Sequence, residues 1–136
     1  MVNNRLAVGI HILSIVALSK DAEQVTSEMI AGSINTNPVV VRRMCGFLKK
    51  ANLIKPKHKN RGLMLVKKPA EINLLEILRA VDPENELFSI HSGTNSACDV
   101  GRNIESALKT VFEEVQEESE RALASKTLQQ VIGQFR

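Results

Sequence analysis

Apolar residues along this chain fall mostly at helical spacing, in blocks separated by short polar segments, and one central stretch alternates like strands instead. The first block predicts a helix running from a cap at Asn3 to about Leu18. Leu6, Ile10, Leu13 and Ala17 line one side of it and Val8, Ile12 and Ile15 another, so it is apolar nearly all round. Such a helix has to be covered on both sides, by its own domain or by a partner chain. The polar run SKDAEQ ends it.

Residues 25–52 hold the most specific pattern. Thr26 suits the N-cap of a short helix, SEMIAGSI. In the following NTNP, Asn37 is a second cap and Pro38 takes the first helical position, where its missing N–H costs nothing. The next helix reads PVVVRRMCGFLKKAN. Two short helices joined by about four residues, with small Ala31 at the contact and Asn35 tolerant of a left-handed backbone, predict a helix-turn-helix. Ile30, Ile34, Val41 and Met44 supply its core. At about 100° per residue the second helix has two faces. Val41, Met44, Cys45, Leu48 and Asn52 turn inward; Val39, Arg43, Gly46 and Lys50 turn outward, flanked by Arg42 and Lys49. A DNA-recognition helix needs this division, with a small residue where it approaches the duplex closely.

The segment LIKPKHKNRGLMLVKK reads as two strands, Leu53–Lys57 and Leu63–Lys67, around the turn HKNRG. Lys55, Lys57, Lys59 and Arg61 alternate, so extended backbone puts them on one side, with His58 at the tip. The expected unit is a winged helix-turn-helix whose wing reaches phosphates or an adjacent minor groove. Pro56 confines its strand to an edge, which a wing hairpin tolerates. Downstream, Asn73 and Glu76 have capping-box spacing at the head of NLLEILRAVDP, and Pro83 marks its exit. After the loop ENELFSIHSGTNSA, Val100, Ile104, Ala107, Leu108, Val111 and Val115 form a continuous stripe on a long helix. Glu105 and Lys109 make an i,i+4 pair on its outer face. Such a stripe is either ordinary core or the seam with a two-fold mate, and its outlying position favours the mate. A last short helix, after Ser125, packs through Leu128, Val131, Ile132 and Phe135.

With 136 residues, the chain is one domain able to build its own core. Residues 1–82 are expected to form the winged helix-turn-helix, and 83–136 the loop, the dimerisation helix and a terminal helix integrated with it. The net charge of +3 is a cancellation: residues 29–70 hold ten Lys/Arg and no acid, whereas residues 71–120 hold twelve Asp/Glu against three basic residues. A solvated basic face is the usual fate of a charge run, but a run lying on a helix-turn-helix and wing points to nucleic acid. No Trp or Tyr and only four Phe give no stacking platform for single strands. No apolar run has the roughly 18–20 residues of a membrane span, and RLAVGIHILSIVALS, holding His11 and Ser14 with no cleavage motif after it, reads as a buried helix rather than a secretion signal. Two cysteines suit a reducing cytoplasm and cannot form a disulfide framework.

These residues resemble the BadM/Rrf-two family of bacterial winged-helix regulators, the family of the iron–sulfur cluster regulator, the nitric-oxide-sensitive repressor and the cysteine-metabolism repressor. The resemblance runs to about residue 125 and rests on RLAVGIHILSIVAL, VTSEMIAGSINTNPVVVRRMCGFLKKANLI, EINLLEILRAVD and CDVGRNIESAL. It implies a homodimer with crossing C-terminal helices that binds palindromic operator DNA, usually as a repressor. The chain departs from the family pattern twice. The family wing reads like Arg-Gly-x-x-Gly-Gly-Tyr-x-Leu, whereas NRGLMLVKK keeps Arg61 and Gly62 but not the glycine pair or the aromatic. Cluster-binding members place three cysteines before the long helix, where this chain has only Cys98. A two-iron cluster needs four ligands, and Cys98, Cys45 and His91 do not make that set, so no cluster or other cofactor is expected.

Cys98 falls at the start of the long helix, where Asn95 or Ser96 can cap. A helix N-terminus stabilises a thiolate, while the neighbouring Asp99 opposes it. Cys98 is thus either a redox or electrophile sensor or a small packing residue, and Cys45 a core thiol. His11, His58 and His91 are scattered without metal-ligand spacing. No Gly-rich phosphate loop, nucleophile elbow or acid–base pair supports an enzyme. The expected protein is mainly α with a small β-hairpin wing, and it acts as a dimeric, sequence-specific regulator of double-stranded DNA. Arg42, Arg43, Val39 and Lys50 approach base edges and adjoining phosphates, and Thr36 and Asn37 lie at the helix N-terminus. Lys55, Lys57, Lys59 and Arg61 meet phosphates from the wing, and Lys49, flanking the outer face of the recognition helix, also belongs to the DNA-binding set. Alternatives are a winged-helix protein-interaction module whose basic face docks an acidic partner, or a thiol enzyme using Cys98, which has no resolving cysteine nearby.

Overall fold

The computed structural model describes residues 4–59 and 61–136. Its elements follow in order: α1 (Arg5–Leu18), α2 (Ser27–Ile34), α3 (Pro38–Lys50), β1 (Ile54–Lys55), β2 (Met64–Leu65), α4 (Leu74–Val81), α5 (Asp99–Ala124) and α6 (Leu128–Ile132). The fold is mainly helical with one antiparallel hairpin. Asn3, the expected first cap, lies outside the described residues; Asn4 precedes α1 and makes no side-chain cap.

The core gathers Ile12 and Leu13 of α1, Ile30 of α2, Val41 and Leu48 of α3, Ile77 and Val81 of α4, and Leu128 of α6. Each such side chain contributes about 1.5–3 kcal/mol by leaving water. α1 packs tightly on α4 at Gly9, where an added Cβ would stand 3.1 Å from Ile77 Cγ2 and 3.2 Å from Val81 Cγ1. The capping box at α4 forms as its spacing implies: Asn73 Oδ1 accepts from the Glu76 N–H and Glu76 Oε2 from the Asn73 N–H, both at 2.9 Å. After α5 the chain returns to this point. Leu128 N–H donates to the Ile72 carbonyl and Leu74 N–H to that of Lys126, and a second capping box, Thr127 with Gln130, opens α6. Phe135 does not join this packing and is 54% exposed.

The wing departs furthest from its sequence pattern. Ile54 pairs with Leu65 and Lys55 with Met64, and pairing then lapses until a single bridge, His58 with Arg61, resumes in the same register. Val66 N–H donates to the Leu53 carbonyl, so Pro56 and Leu63 face each other as a non-hydrogen-bonded pair, and the outward Leu63 N–H donates to the Ala22 carbonyl at 3.1 Å. Lys59 at the tip has φ 44°, so the extended alternation of Lys55, Lys57, Lys59 and Arg61 is broken by the turn.

Candidate nucleic-acid interface

The helix-turn-helix is built by local caps. Thr26 Oγ1 accepts from the Met29 N–H at 3.1 Å and Asn37 Oδ1 from the Val39 N–H at 2.8 Å. Between them Asn35 takes the left-handed region, φ 62° and ψ 50°, and the Asn35 and Thr36 N–H groups both donate to the Ala31 carbonyl. Asn37 Oδ1 is thus engaged in the cap, while Thr36 is half-buried in the turn.

The two faces of α3 separate cleanly. Val41, Met44, Cys45 and Leu48 are buried; Val39, Arg42, Arg43, Gly46, Lys49 and Lys50 are exposed. Asn52, grouped with the inner face by periodicity, lies past the helix end at φ 62° and is exposed. A Cβ at Gly46 would meet nothing within 4 Å, so this surface is open. Val39 is 61% exposed, an apolar residue on a basic face. Lys55, Lys57, Lys59 and Arg61 are likewise exposed. Of the ten cations in residues 29–70, Arg42 meets Glu28 at 3.6 Å and Lys67 meets Glu76, the ion pairs this segment forms among the described residues. Glu28 is a partner the sequence pattern did not single out.

α5 is different in kind. None of its 26 residues is buried. Phe112 stacks on Phe88 of the preceding loop, their rings 5.5 Å apart. Gln116 accepts from the Leu87 N–H and donates to the Asn85 carbonyl. Glu105 does not pair with Lys109: its carboxylate accepts from the Thr94 N–H and hydroxyl, at 3.2 and 3.1 Å, and these bonds hold its pKa below the usual value. These contacts hold the loop on one face of the helix. The predicted stripe lies about 100° round from that face and is open, with Val100 69%, Val111 50% and Val115 36% exposed and Ile104 and Leu108 half-buried.

Cys98 is itself the N-cap of α5 and exposed; Asn95 caps the Ala97 N–H instead. The N–H groups of Gly101, and next Val100, lower the Cys98 pKa, although neither completes a capping hydrogen bond. Asp99 is engaged by Arg102. Cys45 is the opposite case, since burial raises its pKa more than Lys49 lowers it. Among the described residues no helix is long and apolar enough to cross a membrane.

The profile of the Rrf2 family, described as iron-dependent transcriptional regulator, matches residues 2–134. The HTH-type transcriptional regulator YwnA of Bacillus subtilis (strain 168) is 49% identical over 133 residues, 98% of each chain. A crystal structure described as that of a DNA-binding protein is similar with a TM-score of 0.74 and 44% identity, over 94% of this chain and 98% of its own. CymR, the global cysteine regulator of B. subtilis, shares the fold at a TM-score of 0.72 and 15% identity, over 100% of this chain and 98% of its own. The family description mentions iron, but the residues here do not fit a protein-held iron centre. Cys98 is exposed, Cys45 is buried on another helix, and no three His, Cys, Asp or Glu side chains converge among the described residues.

Proposed function

Because the chain belongs to the Rrf2 family of transcriptional regulators, DNA-binding proteins rather than enzymes, we propose that it acts in the cytoplasm as a homodimeric, sequence-specific repressor on palindromic double-stranded operators. The observation that carries this reading is the outer face of α3, where Arg43 and Lys50 flank open Gly46 with no acid in the segment. Arg43 and Val39 read base edges in the major groove, with Lys50 and the Thr36–Asn37 turn beside them. Lys55, Lys57, Lys59 and Arg61 hold phosphates from the wing. Val100, Ile104, Leu108, Val111 and Val115 meet the same stripe of a second copy, which spaces two recognition helices for two half-sites.

Cys98 is the responsive group: an exposed thiol of lowered pKa at the head of the dimer helix, where oxidation or alkylation alters the seam. Genomic fragments recovered on the purified protein, with and without hypochlorite, test both parts. Specific fragments should be retained, with log affinity falling against log salt at a slope of about −5 to −9 for some six to ten phosphate contacts per dimer. Capture of an acidic protein without specific DNA supports the interaction-module reading instead. Cys98→Ser should keep binding in hypochlorite; if it releases DNA as wild type does, the thiol is not the sensor.

A further inference from the structure

Between the first turn of α2, one flank of α3 and the root of the wing lies a notch of about 490 Å³. Three cationic side chains line it from two separate elements: Arg42 and Lys49 from α3, and Arg61 from the wing. Glu23 is the one acid on its rim among the described residues. Arg42 and Lys49 stand two turns apart on one flank, about 100° round the helix from Arg43, with buried Cys45 between them. Thr26 and Ser27, the N-cap and first residue of α2, also line the notch, so the positive end of that helix dipole lies beside the cations.

The notch is held in shape by a contact outside the basic segment. Gly62 lies at φ 66°, and a Cβ there would stand 2.1 Å from the Ala22 carbonyl oxygen, the same oxygen that takes the Leu63 N–H. The wing root is clipped to the segment before α2, and Glu28 holds Arg42 from the α2 side. Three cations thus face Glu23, with Glu28 on Arg42, in a space formed before any ligand arrives. It also lies where a duplex backbone has to pass if α3 enters one groove and the wing reaches the next.

We infer that this notch seats one phosphodiester of the DNA backbone in each half-site, with Arg42 and Lys49 as its clamp, so that Arg42 positions the protein and Arg43 reads sequence. The inference rests on the duplex-binding reading above and moves Arg42 out of the group expected at base edges. It is tested on a recovered operator duplex, with a single neutral methylphosphonate placed in turn at each linkage of a half-site. Arg42→Gln and Lys49→Gln should each weaken operator and random duplex by the same factor, about tenfold, and lower the salt slope by about 2 per dimer. Both losses should vanish at one shared linkage when it is neutral. Lys49 forms no ion pair among the described residues, so Lys49→Gln separates the clamp from any effect of freeing Glu28. A change of base preference in Arg42→Gln, or losses that persist at every neutralised linkage, overturns the clamp while leaving duplex binding intact. A wild-type protein that binds no duplex overturns both.

Discussion

The helix-turn-helix and wing keep most of their apolar residues inside and present cations to water, whereas no residue of α5 is fully buried and an apolar stripe runs along its outside. Val41 is fully buried on α3; Val111 on α5 is half exposed. The first region completes its core within one chain and is left with uncompensated positive charge. The second is left with uncovered apolar surface, among acids that a polyanion would repel. On the function proposed above, each region meets a different partner: a polyanion for the first, and for the second the apolar helix of a second copy. The same chain can answer both needs because the two surfaces do not compete.

The contrast breaks most visibly at the stripe. Val111→Glu should leave the fold intact and turn a dimer into a monomer by sedimentation, lowering palindromic operator affinity by about 100-fold or more as two half-sites cease to be linked. A Val111→Glu protein that remains dimeric would show that the seam lies elsewhere. Next in size, Gly62→Ala should destabilise the chain by more than about 1 kcal/mol, since it adds strain at positive φ to a clash with Ala22. Gly46→Ala should do the reverse, raising thermal stability by roughly 1 kcal/mol in open space while weakening operator binding. Unchanged binding in Gly46→Ala would remove the close approach of α3 to DNA. The smallest effect is chemical. A lowered pKa means more thiolate at any pH below it, so Cys98 should be alkylated at lower pH than an ordinary thiol. Cys45, raised by burial, should react only on unfolding. Equal rates for the two, measured by mass spectrometry across pH, would contradict the placement of both.

What could be read from the residues in order was whatever they settle among near neighbours. Thr26, Asn35, Asn37 and the Asn73–Glu76 box all fall where local spacing puts them, because a cap is a contact over two to four residues. The inner and outer faces of α3 followed from period, except at Asn52, which lies past the helix end and is exposed. The wing did not, because its root is tied by the Leu63 bond to Ala22, about forty residues back, and its tip turns at Lys59 with positive φ. Glu105 looked like half of an i,i+4 pair, but a loop N–H and hydroxyl compete better for its carboxylate than an exposed lysine does. The notch was hidden for the same reason: its walls come from segments that meet only after folding.

The central claim is that one part of the basic surface reads sequence while the rest grips backbone, and the most direct measurement is the ratio of operator to random-duplex affinity at fixed salt. Arg43→Ala should collapse that ratio, a loss of about 1–3 kcal/mol in discrimination, whereas Lys59→Ala should weaken both duplexes alike and leave it unchanged. Equal losses on operator and random DNA in both variants would contradict the account.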